Sequence, residues 1–398
     1  MPAQPFTYSA ETFAAGLHDT KPAITFNPHA WESLAKEKLS ANSFGYVWGS
    51  AGIRQTDENN RAAFQKWSIV PSRLVRADFT NLKTTVFGTE YACPIALAPV
   101  GVQTIFHPQG ESAVARVAQQ ENIPYILSTA ASTSMEDVAK VNSSGQRWYQ
   151  LYWPGNEHSD ITASLLKRAK ESGYKVLVVT LDTYMLGWRP SDLDNGYNPF
   201  LRNDSIGVEL GFSDPVFRKH FKEKHGCEIE ESVEQAAQEW AKMIFPGLSH
   251  GWEDLDFLKK HWDGPIVLKG IQTVSDAKRA VQAGMDGIVV SNHGGRQQDG
   301  GIGSLEVLPE IVDAVGNDLE VLFDSGVRCG ADIVKALALG AKMVLVGRPY
   351  VYGLAIAGEN GVRHVLKSLL GDLQLTLHLS GIPSVSKDVL NRSVLRSR

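Results

Sequence analysis

Residues 164–182 read Ser-Leu-Leu-Lys-Arg-Ala-Lys-Glu-Ser-Gly-Tyr-Lys-Val-Leu-Val-Val-Thr-Leu-Asp. Apolar and charged residues mix at helical spacing up to Gly173, and Val176–Asp182 follows as a short apolar run. A glycine stop and then a strand without polar alternation is the second half of a β-α-β unit whose strand is buried on both faces. The same order recurs at Ser275–Gly284 into Gly287–Asn292 and at Ala331–Gly340 into Met343–Gly347. Working outward gives eight strands: Ile95–Pro99, Tyr125–Ser128, Trp148–Tyr152, Val176–Asp182, Ile266–Lys269, Gly287–Asn292, Val321–Ser325 and Met343–Gly347. Helical stretches lie between most of them, at Glu111–Gln120, Met135–Val141, Asp160–Ser172, Val274–Ala283, Leu305–Val315 and Asp332–Leu339, and an amphipathic run, Gly361–Ser380, follows the last. Eight β/α units in a row predict an α/β fold, the (β/α)8 TIM barrel, in preference to an open doubly wound sheet, although closure itself is not written in the sequence.

A single domain of 398 residues is expected, with the barrel at 91–182 and 265–360. Residues 1–90 form an N-terminal helical cover, with a helix at Trp31–Leu39 and a turn-rich piece at Gly45–Gly52. Residues 361–398 are expected to be a C-terminal helical tail. Residues 183–264 are far longer than the usual ~2–6-residue βα loop. They leave the C-terminal end of strand four, the active-site face of a barrel, which predicts a lid insertion. Within them Arg218–Glu231 reads as a solvated helix face.

Apolar residues make up 43% and charged residues 21%, enough for a large core and against general disorder. The net charge of −5, without a basic block, argues against a nucleic-acid partner. Cys93, Cys227 and Cys329 are scattered, with neither disulfide-framework nor Cys-x-x-Cys metal spacing, so no metal is expected. The apolar stretch Cys93–Val102 is too short to span a bilayer. The start Met1-Pro-Ala-Gln4 lacks a secretory pattern, and the end Leu395-Arg-Ser-Arg398 is not the peroxisomal Ser-Lys-Leu. The expectation is a soluble cytoplasmic protein without a membrane partner.

Nearly every predicted strand ends in polar residues: Ser128-Thr129, Gln150 with Tyr152, Thr180 with Asp182, Lys269-Gly270, Ser291-Asn-His293-Gly-Gly-Arg296, Asp324-Ser-Gly326-Val-Arg328 and Gly347-Arg348-Pro349. A buried polar group left unpaired costs about 1–3 kcal/mol, so the set predicts a polar ligand. The last two loops are the usual phosphate position of barrels, and here they supply backbone N–H groups and two guanidinium groups. No Gly-Lys dipeptide occurs and no strand opens into Gly-x-Gly-x-x-Gly, which points to a mononucleotide cofactor. His293 ends strand six, before two glycines and an arginine, and reads as a proton acceptor. Asp182 is its natural orienting partner, whereas His107 and His250 read as loop residues. Arg296 and Arg189 suit a clamp on a small carboxylate, with hydroxyl donors from Tyr46 and Tyr152. Lys269 fits either a Schiff-base lysine or a charge that stabilises an anionic ring.

Taken together these residues resemble the FMN-dependent L-2-hydroxy acid oxidising family, the group of glycolate oxidase, lactate oxidase and lactate 2-monooxygenase. The most specific match is Ser291-Asn-His-Gly-Gly-Arg-Gln297. Ile95-Ala-Leu-Ala-Pro99, Gln150-Leu-Tyr152, Thr180-Leu-Asp182, Leu268-Lys-Gly270, Asp324-Ser-Gly-Val-Arg328 and Gly347-Arg-Pro349 match in order. The resemblance implies FMN as cofactor. Pro99, Val100 and Gly101, with Ser128, Gln150, Thr180 and Lys269, would hold the ring system. Ser291 would meet the ribityl–flavin region, Asp324 the ribityl hydroxyls, and Gly326, Arg328, Gly347 and Arg348 the phosphate. Tyr46, Arg189 and Arg296 would bind the substrate carboxylate, Tyr152 would lie near the 2-hydroxyl, and His293 would take the proton. A homotetramer is also implied.

Ala130 stands where glycolate oxidases carry a bulky aromatic residue, which suits a methyl-bearing substrate, L-lactate. Leu186-Gly-Trp-Arg-Pro190, Asn198-Pro-Phe-Leu-Arg202 and Asp214-Pro-Val-Phe217 look most like lactate 2-monooxygenase, which would give acetate, CO2 and water with O2 as acceptor. The alternatives are an L-lactate oxidase releasing pyruvate and hydrogen peroxide, and a flavin-binding protein without turnover.

Overall fold

The computed structural model describes residues 7–77, 80–201 and 206–398. Eight parallel strands close on themselves: β1 (Ile95–Leu97), β2 (Tyr125–Ser128), β3 (Arg147–Tyr152), β4 (Leu177–Thr180), β5 (Ile266–Ile271), β6 (Gly287–Val290), β7 (Glu320–Phe323) and β8 (Met343–Val346). β8 pairs with β1, which supplies the closure that the sequence left open. Every predicted strand is found to within two residues at its ends.

The strands look uniformly apolar because both faces are buried, yet alternate residues enter different cores. Ala96, Ile126, Trp148, Val178, Val267, Val289, Leu322, Met343 and Leu345 belong to one small cluster, the barrel interior. Leu97, Leu127, Val179, Leu268, Val290 and Val344 join the larger cluster shared with the helices. Side chains alternate with period two along a strand. Two positions beyond the interior residues stand Ala98, Ser128, Gln150, Thr180, Lys269, Ser291, Asp324 and Gly347, so the polar strand ends share the inward parity. A hairpin of Thr84–Val86 and Thr89–Tyr91 stoppers the opposite end, with Phe87 and Tyr91 packed edge-on against Trp148. The interior therefore opens toward the strand C-termini.

Three expectations are corrected. Gly45–Gly52, expected to be turn-rich, is a turn only in its second half; its first half, Gly45–Trp48, ends a helix, Ala41–Trp48, capped by Ser40, whose Oγ accepts from Ser43 N at 3.1 Å. Gly45 serves close packing there, since a Cβ on it would lie 3.2 Å from Asn195 Nδ2. Helices Thr7–Gly16, Pro28–Lys38 and Gln55–Gln65 complete the described helices of the cover.

Second, the expected solvated face at Arg218–Glu231 falls in an insertion whose described residues include helices Pro190–Asp194, Glu209–Phe212, Pro215–His225, Val233–Ile244 and Leu255–His261. Pro215–His225 is no merely solvated face, for it buries Phe217 and Phe221. It is tied to barrel helix Ser159–Glu171 by Arg168, which donates to Leu210 O at 2.9 Å and pairs with Asp214 at 3.1 Å.

Third, the tail is not helical throughout. One long helix, Arg348–Leu379, breaks at Ala357 and Gly358, and Leu395–Ser397 pairs antiparallel with Trp67–Ile69. No helix among the described residues is long and apolar enough to cross a membrane. The N-terminal Met1–Gln4 and Arg202 lie outside the described residues.

Candidate active site

β6 runs into a turn where His293, Gly294 and Gly295 have φ of 58°, 64° and 72°. Only glycine fits the last two places. A Cβ on Gly295 would sit 2.6 Å from Asp57 N, and one on Gly294 2.8 Å from Arg348 Nη1. His293 bears the left-handed conformation as a non-glycine residue, at a cost of about 1–3 kcal/mol. Its N–H donates to Ser291 Oγ at 3.1 Å, and Gly295 N donates to Asn292 Oδ1 at 3.1 Å.

The strained turn aims the imidazole at β4. His293 Nδ1 lies 2.8 Å from Asp182 Oδ1, to which Thr183 Oγ1 also donates at 2.7 Å. A carboxylate only accepts, so Nδ1 carries the proton and Nε2 keeps its lone pair. Burial lowers the His293 pKa below its ordinary 6.5, Asp182 restores part of it, and Lys269 lowers it further, so the ring is neutral near pH 7. Burial opposes ionisation of Asp182, but His293 and then Lys269 outweigh it and hold the carboxyl well below its usual range.

Lys269 Nζ donates to Ser291 Oγ at 3.0 Å and lies 3.4 Å from Asp324 and 4.0 Å from Asp182. Burial disfavours the ammonium, yet Asp324 and Asp182 raise its pKa above the ordinary value. A Schiff-base amine must be deprotonated to attack, so this environment speaks for a fixed charge.

Two arginines meet the cover. Arg296 Nη1 donates to Tyr46 O and, at 2.7 Å, to Gly49 O, with its guanidinium 4.9 Å from the Tyr46 ring centre. Arg348 donates to Val47 O and Gly294 O, each at 2.9 Å, and to Ser50 Oγ at 3.2 Å. Together they cap the carbonyl end of helix Ala41–Trp48, where the helix dipole favours cations. Arg189 donates to Arg296 O at 3.0 Å and to Gln297 Oε1. Arg328 donates to its neighbour Val327 O, and burial, then Arg348, shape its lowered pKa despite the opposing pull of Tyr352. Among the described residues neither Arg296 nor Arg328 has a carboxylate within ion-pair distance. Half-buried cations in that state, facing a cavity, call for anions.

These groups surround one open cavity. Its walls include Pro99, Val100 and Gly101 after β1, Lys269 on β5, Asp324, Gly326 and Arg328 after β7, and Gly347 and Arg348 after β8. Tyr46, Tyr152, Arg189, His293 and Arg296 gather in it, with Asp182 behind His293. Ser128, Gln150 and Ser291 are buried outside its lining, and Thr180 borders a second open cavity. Gln150 Oε1 accepts from Ser128 Oγ at 2.9 Å, but its Nε2 is buried without a partner among the described residues. Ala130 packs behind Gly101, where a Cβ on the glycine would meet Ala130 O at 2.6 Å.

The sequence gives no role to Thr183 or to Gln297, although the latter ends the Ser291–Gln297 motif. Gln297 Nε2 donates to Asp182 O at 3.1 Å and Met185 O at 2.8 Å, fastening the start of the insertion to the β6 turn. Leu186, Phe200 and Phe245 form an apolar wall contributed by the insertion. Phe245 follows a helix in an irregular stretch and carries no local signal.

Residues 35–396 match the FMN-dependent dehydrogenase family. The chain is 64% identical to an FMN-dependent alpha-hydroxy acid dehydrogenase of Schizosaccharomyces pombe over 98% of this chain and 96% of that protein. It is 43% identical to an L-lactate oxidase of Lysinibacillus sphaericus, over 89% of each. A crystal structure of mandelate oxidase superposes with a TM-score of 0.80 at 34% identity, over 94% of this chain and 99% of that one.

Proposed function

Because the chain belongs to the FMN-dependent dehydrogenase family and carries out FMN-dependent oxidation of a 2-hydroxy acid, we propose that its substrate is L-lactate and its electron acceptor O2. The observation that carries this reading is His293, neutral, oriented by Asp182 and set in one cavity with carboxylate-free Arg296.

The residues suit FMN. Arg328 lacks an anion, and with Gly326, Gly347 and Arg348 it would take the phosphate. Asp324 would accept from ribityl hydroxyls. Lys269 would face an anionic ring edge, and the unpartnered Gln150 Nε2 supplies a donor toward the ring, near Ser128, Thr180 and Ser291. Pro99, Val100 and Gly101 would flank the ring. When bound, FMN supplies the two-electron acceptor.

The chain does the rest. Arg296 and Arg189, with Tyr46, hold the substrate carboxylate. Burial raises the Tyr152 pKa, so its phenol stays protonated as a donor to the 2-hydroxyl. His293 Nε2 takes the proton, and Asp182 stabilises the imidazolium. Residues 183–264, whose Leu186, Phe200 and Phe245 reach the cavity, act as the lid that excludes water.

The L-lactate oxidase relative and the small Ala130 support a methyl side chain. If pyruvate stays bound during reoxidation, L-lactate and O2 give acetate, CO2 and water, and this is the outcome we favour. If pyruvate leaves first, pyruvate and hydrogen peroxide result. The apolar wall of Leu186, Phe200 and Phe245 favours a second reading, a 2-hydroxy acid with a larger, even aromatic, side chain. Anaerobic bleaching with a panel of L-2-hydroxy acids decides between them, and fastest bleaching by a substrate other than lactate overturns the first. Acetate formed in air with catalase present supports the monooxygenase outcome, and stoichiometric peroxide sinks it. The exposed Ile53, Met185, Trp188 and Leu248 offer apolar surface for the homotetramer, and a solution mass of one chain would refute it.

A further inference from the structure

After β1 the chain turns through Pro99-Val-Gly-Val102, and Val102 has φ 51°. A β-branched residue rarely adopts that left-handed conformation, so something must hold it. Val102 N donates to Ala130 O at 2.9 Å. Gln103 N donates to Glu111 Oε1 at 3.1 Å, while Gln103 Nε2 donates to Val100 O at 2.9 Å and reaches Tyr125 Oη at 3.1 Å. Tyr350 Oη donates to Ala98 O at 2.9 Å, one residue before the turn.

Glu111 opens the helix Gly110–Gln120, is 0% exposed, and has no cation in ion-pair distance among the described residues. Its remaining bonds go to the turn after β2, where Oε1 accepts from Ser132 N at 2.9 Å and Oε2 from Thr133 Oγ1 at 3.0 Å. A buried carboxylate without a cation needs hydrogen bonds to be tolerated, and here they come from two adjacent barrel turns. Those turns touch so closely that Gly101 has no room for a Cβ against Ala130 O.

We propose that Glu111 is a positioning residue for the cofactor, fastening the β1 and β2 turns so that the Val100–Gly101 backbone stands correctly against the FMN ring. This rests on the reading that Pro99–Gly101 flank that ring. One oxygen, Oε1, accepts from both backbone N–H groups, and Oε2 meets only the rotatable Thr133 hydroxyl, so Glu111→Gln can keep the bonds, its amide donating to Thr133 Oγ1. Glu111→Ala cannot.

The test titrates FMN into apo-protein, and records the dissociation constant, the visible spectrum of the bound flavin and the apo-protein melting temperature. Glu111→Gln should behave like the parent. Glu111→Ala should weaken FMN by ~10–100-fold, as expected when buried backbone donors lose their acceptor, and shift the visible bands. Gln103→Met leaves the backbone bond to Glu111 and removes the grip on Val100 O, so it should give the same band shift with a smaller loss. It decides the matter if Glu111→Ala does not fold. A lowered melting temperature with unchanged FMN constant and spectrum overturns the proposal, and so does a Glu111→Gln variant as impaired as the alanine. Arg328→Met separates the two readings. If it also binds FMN normally, the cofactor site itself is misplaced. If it weakens FMN while the Glu111 and Gln103 variants do not, only the role of Glu111 fails.

Discussion

At His293 one side chain answers to three demands: a left-handed backbone, a bond to Asp182, and a neutral ring near pH 7. Its titration lies below the ordinary 6.5, chiefly through burial. The rate of anaerobic flavin reduction should therefore stay level as pH falls through 6.5 and drop only further down, where the ring protonates. A stopped-flow profile with its acid limb centred above 6.5 would contradict this. Stability follows the same sign. Both partners have lowered pKa values in the folded protein, so the unfolded chain takes up protons first, His293 below 6.5 and Asp182 below 3.8. Acid should thus erode stability in both windows, which melting curves across pH will show. His293→Gln should still bind FMN but reduce it about 10²–10⁴-fold more slowly, the usual contribution of a general base. Near-normal reduction of that variant would remove His293 from the role.

Helix Ala41–Trp48 presents Tyr46 to the cavity and is fixed at both ends, by Ser40 at its start and by Arg296 and Arg348 at its finish. Ser40→Ala should cost about 1 kcal/mol of helix stability. FMN affinity should hold, while the KM for the hydroxy acid rises more than kcat falls. Equal loss in both constants would mean that the helix shapes the chemistry itself. The same helix shows where sequence stops being readable. Barrel strands are legible because a glycine stop and a β-branched run are local, and polar residues at their inward ends stand out against apolar surroundings. Gly45 and Gly49 look like turn residues because nothing local says that Ser191 and Asn195 crowd them. Thr183 and Gln297 escape for a related reason, since Thr183 meets His293 110 positions away and Gln297 meets Met185 112 positions away. Parity within β1–β8 was hidden because residues of both parities are apolar, and only the two cores tell them apart.

Across the whole molecule the C-terminal strand is clasped to a short strand of the N-terminal cover. Leu395–Ser397 pairs with Trp67–Ile69, Val70 N donates to Val394 O at 2.8 Å, and Arg398 N to Lys66 O at 2.9 Å. The clasp matters because Trp67 follows directly on helix Gln55–Gln65, which buttresses the β6 turn. Asn60 and Asn292 exchange amide bonds of 2.8 Å in each direction, and Gly295 packs on Asp57. Removing residues 391–398 takes away the strand pairing and the exposed Arg392–Asp313 pair, but no residue of the cavity. A chain ending at Leu390 should therefore turn over normally at room temperature. Each backbone bond contributes about 1 kcal/mol net and each kcal/mol is worth roughly 2–4 °C in a domain of this kind, so melting should come several degrees lower. Because the freed end is that of the buttress helix, the β6 turn should loosen before the barrel, and on slow heating flavin reduction should fail before FMN fluorescence reports its release. Simultaneous loss of both would mean that the clasp supports the barrel as a whole and not the turn that carries His293.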